Sequence, residues 1–110
     1  MAKGTYIQKG EIIDYVNNGA SNIAYNDVVP MISRIGVAAE NIPVGGIGGV
    51  RTEGIYELPA VNDAAFSVGD QLYWDATNGK LTKESSDTVP AGWCVEAKET
   101  TGVVAKVKIG

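Results

Sequence analysis

Residues 50–58 read Val-Arg-Thr-Glu-Gly-Ile-Tyr-Glu-Leu, and their alternation decides the fold class. In an extended chain Val50, Thr52, Gly54, Tyr56 and Leu58 share one face, while Arg51, Glu53, Ile55 and Glu57 share the other. A period of two with one mostly charged face marks a half-buried strand. Working outward, the same spacing predicts strands at 6–8, 11–16, 27–33 and 34–39, with Asn18-Gly19 suited to the positive φ angles of a tight turn. On the C-terminal side, 71–75 puts Leu72 and Trp74 on one face, and Ala-Thr-Asn-Gly at 76–79 turns the chain into 80–83 as a hairpin. Trp93, Val95 and Ala97 continue the pattern, which sets both tryptophans on core faces. In the last strand Val103, Ala105, Val107 and Ile109 point one way, and Lys106 and Lys108 the other.

Composition agrees with strands. The 110 residues include 13 Val and 10 Ile against 3 Leu, and β-branched side chains suit a pleated sheet better than a helix. This length closes about one domain, so the expected architecture is all-β: a small single-domain β-barrel or sandwich of short antiparallel strands spanning 1–110. Residues 1–5 are small and polar and read as a candidate flexible N-terminal arm. Val61, Ala64, Ala65 and Val68 have helical spacing after Pro59, which predicts one short connector helix over 61–68. A faint repeat runs through the chain. Gly36, Glu40, Gly46 and Gly54 match Gly92, Glu96, Gly102 and Gly110 at a constant offset of 56, and Asn26-Asp27-Val28 resembles Gly69-Asp70-Gln71. Three of the four identities are glycine, so similar turn spacing explains the match as readily as a duplicated β unit does.

Thirteen acidic and nine basic side chains give a formal charge of -4, which argues against nucleic acid or an anionic membrane as a partner. No run approaches the roughly 20 apolar residues of a membrane helix. The first residues lack the apolar stretch of a signal peptide, so no export by the secretory route is expected.

Without histidine and with one cysteine, transition-metal sites and histidine-based triads have no ligands or bases, and no metal or cofactor is expected. The glycine run at 45–49 lacks the third glycine of a dinucleotide fingerprint, since Arg51 stands there, and a strand follows it instead of a helix. Gly79-Lys80 is followed by Leu81, which rules out a Walker loop. Asp75 and Asn78 fall out of step with an EF-hand and read as turn residues. Nothing in the carboxylate spacing singles out an acid/base pair. Cys94 reads as a buried thiol with no base to activate it. An enzyme is therefore not expected. Tyr15, Tyr25 and Tyr73 are candidates for a subunit or partner interface, where aromatic residues are enriched.

Several stretches share an order with one known family. They are Met-Ala-Lys-Gly-Thr-Tyr-Ile-Gln-Lys-Gly-Glu-Ile-Ile-Asp-Tyr at 1–15, Asn-Asp-Val-Val at 26–29, Gly-Val-Ala at 36–38, Gly-Ile-Tyr-Glu-Leu-Pro at 54–59, Gly-Asp-Gln-Leu-Tyr-Trp-Asp at 69–75 and Pro-Ala-Gly-Trp at 90–93. Together they resemble the capsid cement, or head decoration, proteins of tailed phages, over residues 3–109. The resemblance implies a β-barrel-like virion protein, a homotrimer on the outer surface of the capsid, with the major capsid protein as partner. It transfers no catalytic motif and does not define which residues touch the shell. Ala2, Lys3, Gly4, Thr5 and Tyr6 are the candidate capsid contacts, as a short arm able to add a strand to a capsid-protein edge. The alternatives are a small β-barrel ligand-binding or interaction module and a tail or baseplate component.

Overall fold

The computed structural model of the chain describes residues 2–6 and 10–110. Among them β1 (Ile12–Val16), β2 (Val28–Met31), β3 (Arg34–Ala38) and β4 (Ile47–Arg51) form an N-terminal antiparallel sheet in the order β1-β4-β3-β2. Then β5 (Gly54–Pro59), β6 (Gln71–Asp75), β7 (Lys80–Thr82), β8 (Val89–Cys94) and β9 (Val104–Ile109) form a C-terminal sheet in the order β5-β9-β8-β6-β7. The fold is all-β. Both sheets stay open, so the barrel alternative gives way to two packed sheets. Of the strand expected at 6–8, Tyr6 has no regular structure and 7–8 lie outside the described residues.

The two sheets are one β unit made twice. In the first, Val28 pairs with Val37 and Val29 with Gly36; in the second, Gln71 pairs with Trp93 and Leu72 with Gly92. From 28 to 71 is 43 residues, and from 37 to 93 is 56. Thirteen residues are thus inserted between the paired strands, and they replace the Ile32-Ser33 turn by β7 and its loops. One more residue enters before β9, so that Ile12–Arg51 and Ile13–Val50 correspond to Ile55–Lys108 and Tyr56–Val107. The turns repeat bond for bond. The Ala24 amide donates to the Asp27 carboxylate at 2.9 Å, and the Ser67 amide to that of Asp70 at 2.8 Å. Ile23 and Ile42 exchange two backbone bonds, as do Phe66 and Lys98. The offset of 56 is therefore a structural repeat at Gly36/Gly92 and Gly46/Gly102, whereas Gly54 and Gly110 match in sequence only, Gly54 opening the strand that corresponds to β1.

Strand β3 joins the units because both of its faces are buried. Ile35 and Val37 enter the large core with Leu58, Phe66, Leu72, Trp74, Leu81, Val107 and Ile109 from the C-terminal unit. Ala38, on the opposite face, packs with Val29, Ile42 and Val50 in a smaller core. Each such side chain, fully buried, contributes about 1.5–3 kcal/mol relative to exposure, which makes the inter-sheet contact through β3 a main source of cohesion.

Three sequence expectations are corrected. The segment 61–68 is not helical: Phe66 is held by reciprocal bonds with Lys98, and the Val61 amide donates to Leu81 at 3.0 Å, so neighbouring strands take the donors that a helix needs. The alternation at 50–58 is not one strand. It breaks at Thr52-Glu53, where Thr52 completes the first sheet through its amide bond to Glu11 at 2.8 Å and Gly54, at φ 127°, opens the second opposite Ile109. Trp93 does not face the core; Cys94 does, and Trp93 stands outside. Trp74 is buried as expected.

Candidate interaction surface

The chemistry-bearing side chains are committed to the fold. The Cys94 thiol is buried and donates to the Glu96 carbonyl at 3.0 Å. Asp75 accepts from the Thr77 and Asn78 amides and, at 2.7 Å, from the Asn78 side chain. The Asn78 amide groups hold its carboxyl below the usual 3.8. Lys98 is buried over the Phe66 ring, 4.8 Å from its centre, and donates to the carbonyls of Glu99 at 2.8 Å and Gly102 at 3.0 Å. The glycine run 45–49 is a turn entering β4; there Gly48 lets Ile42 lie against the strand, where a Cβ would overlap its side chain. Among the described residues no group of three or more His, Cys, Asp or Glu side chains converges.

What remains free is surface. On the outer face of the C-terminal sheet the register lines up Ile55, Lys108, Trp93 and Gln71 in one row across four strands. Beside it, Lys106 meets Glu96 at 2.7 Å, and this hydrogen bond, with the attraction of the carboxylate, raises the Lys106 ammonium above its ordinary range. Ile55, Trp93 and Val104 are exposed on this face. The corresponding row of the N-terminal sheet is Ile12, Arg51, Val37 and Val28. A depression of about 440 Å³ lies where the sheets meet, between Arg51 and Lys108, with Glu11 and Glu53 beside them.

The structure disperses the expected contact residues. Ala2, Lys3, Gly4, Thr5 and Tyr6 are exposed and outside any strand. They precede β1, an edge strand of its sheet. Tyr15 is half-buried against the small core, on the face of the N-terminal sheet turned away from the C-terminal sheet. Tyr73 is half-buried on β6, on the same face as Gln71 and Trp93. Tyr25 is exposed in the turn before β2, its amide donating to the Asn41 side chain at 2.8 Å. Trp93, Ile55 and Val104 were not singled out by sequence reasoning. Their local pattern is ambiguous, because only the pairing of β8 with β9 sets Trp93 opposite Lys108 and so on the lysine face.

A protein-family model described as phage cement protein matches residues 7–109, and no curated protein and no solved structure matches the chain.

Proposed function

Since the chain belongs to the phage cement protein family, a family of capsid structural proteins, we propose that it binds the outer surface of the expanded phage head, through the major capsid protein, and holds the shell against internal DNA pressure. The observation that carries this reading is the extent of the family match, which takes in all nine described strands of both units. The surface is consistent with it. A binding protein without turnover needs exposed area in place of a reaction site, and here Ile12, Ile47, Ile55, Trp93 and Val104 are exposed apolar side chains on strands.

The mechanism is mechanical linkage. DNA pressure pushes capsomers apart, and a rigid oligomer touching several of them resists separation. We propose a homotrimer, so that each contact after the first is intramolecular; such linkage raises avidity about 10²–10⁴-fold without new contacts. A protein that binds the expanded shell and not its precursor also shifts the shell toward the expanded state. The arm at residues 2–6 is the proposed capsid contact, pairing its main chain with an exposed strand edge of the capsid protein.

Pelleting of purified protein with undecorated precursor heads and with expanded heads tests the role. Saturable binding to expanded heads, with raised resistance to heat, is expected. Equal binding to both forms, or to neither, rejects it, and attachment to tails alone would assign a tail component instead. Deleting residues 2–6 should weaken head binding and leave oligomer mass and melting temperature unchanged; undiminished binding rejects the arm as the contact.

A further inference from the structure

We propose that the face around Trp93 packs, in a second copy of this chain, on the partly covered small-core face of the N-terminal sheet that is turned away from the C-terminal sheet, repeating between chains the packing that joins the two units within one. This contact deepens the self-association proposed above and does not depend on binding to heads.

The internal repeat shows what covers such a face. Within the chain, Val37 and its neighbours Ile35 and Val28 lie on the inner face of the C-terminal sheet, and Val37 is 2% exposed. Trp93 holds the same place in the second unit, between Lys108 and Gln71 as Val37 is between Arg51 and Val28. It is 42% exposed. The receiving faces show the complementary difference. Leu58, Phe66 and Trp74 are buried in the second unit, whereas their counterparts Tyr15, Ile23 and Met31 in the first are only partly covered. Each chain therefore uses one donor face and one receiving face internally; of the other pair, the donor is exposed at Trp93, and the receiver is closed over Val29, Ala38, Ile42 and Val50 and half-open at Tyr15, Ile23 and Met31.

Size matches as well. Inside the chain, a donor face of Val and Ile meets a receiving face carrying Phe and Trp. The remaining donor carries Trp93 and Tyr73, and the remaining receiver has Ile23 and Met31 in place of Phe66 and Trp74 and Ala38 in place of Cys94, with the larger Tyr15 in place of Leu58 at its other side. At the Ile23 and Met31 positions a large donor thus meets a smaller receiver. The contact joins two different patches, so it is heterologous, and a cyclic assembly larger than a dimer requires such a contact.

Light scattering after size exclusion, with Trp93→Glu, Met31→Glu and Tyr15→Glu, tests the contact. The wild type should run at a multiple of the 11.5 kDa chain mass, and each variant at the single-chain mass with a cooperative melt. The two receiving-face variants back each other up should one fail to fold. Ile32→Glu, on the exposed β2–β3 turn, should keep the wild-type mass. Mixing the Trp93 and Met31 variants should restore a species of about twice the chain mass, because each supplies the face the other lacks. A monomeric wild type, unchanged mass in the variants, or a mixture that stays monomeric overturns the proposal. Head binding, measured on the same samples, separates the two ideas: a monomer that binds heads leaves the cement role standing. A Trp93 variant that keeps its mass and loses head binding would assign this face to the capsid protein.

Discussion

The backbone of Gly92 lies against the carbonyl group of Lys108, so close that a Cβ on residue 92 would overlap it. The same approach occurs in the first unit, where a Cβ on Gly36 would stand 2.9 Å from the Arg51 carbonyl oxygen and inside the Val50 side chain. At both places the third strand of the unit is pressed against the second by the absence of a side chain.

Gly92→Ala and Gly36→Ala should therefore both destabilise the fold, by roughly 2–4 kcal/mol for position 92 and less for 36. The ranking follows from the obstacle. Residue 92 meets backbone and sits at φ 151°, whereas Gly36 is opposed chiefly by the Val50 side chain, which can turn. Urea midpoints measure it, and a wild-type midpoint for Gly92→Ala contradicts the packing described.

The two units hold their long turns by different side chains. In the first, Asn17, 3% exposed, donates to the carbonyls of Ser21 and Ile42, both at 2.9 Å. In the second, Ala60 stands in its place, and Lys98, 6% exposed where the first unit has Ile42, donates instead to a different turn, through the carbonyls of Glu99 and Gly102 before β9. Lys98→Ile should cost about 1–3 kcal/mol even though it copies the other unit, because the carbonyls of Glu99 and Gly102 lose their donor. Asn17→Ala should cost a similar amount. Chemical denaturation of both variants checks this, and a neutral Lys98→Ile would show that those carbonyls are satisfied by solvent.

Ile32 sits at φ 47° in the two-residue turn between β2 and β3 with its side chain fully exposed. A β-branched residue is strained there, and burial returns nothing. Ile32→Gly should stabilise the protein by about 1 kcal/mol, the scale of the left-handed penalty. A lower melting temperature for this variant would mean that the isoleucine makes a contact outside the isolated chain.

The Asp75 carboxyl titrates below 3.8, first because the Asn78 side chain hydrogen-bonds it and next because the Asn78 backbone amide does. A depressed folded value contributes stability above pH 3.8 that is lost as pH falls through the folded value. Carboxyl NMR titration should place Asp75 below 3.8 in the wild type and nearer to it in Asn78→Ala; no movement would remove Asn78 as the cause.

Local sequence determined the all-β class, most strand positions and the inner faces of β6 and β9, because a period of two in β-branched and aromatic residues is set by the pleat itself. It also carried the family, through the order of short motifs along nearly the whole chain. Tertiary structure decided the rest. The alternation at 50–58 keeps its phase through Thr52-Glu53, yet the chain passes there from one sheet to the other, since strand partners are chosen by residues such as Glu11 and Ile109 far along the chain. The helical spacing at 61–68 lost to Lys98 and Leu81, which supply partners that no local window contains. The repeat showed only as four matching residues because thirteen inserted residues shift its two halves by different amounts, whereas strand register, a matter of hydrogen bonds in space, aligns Val37 with Trp93 directly. Whether a large apolar residue at that address is core or surface depends on what lies across from it: for Val37 it is the other half of the same chain, and for Trp93 the chain supplies nothing.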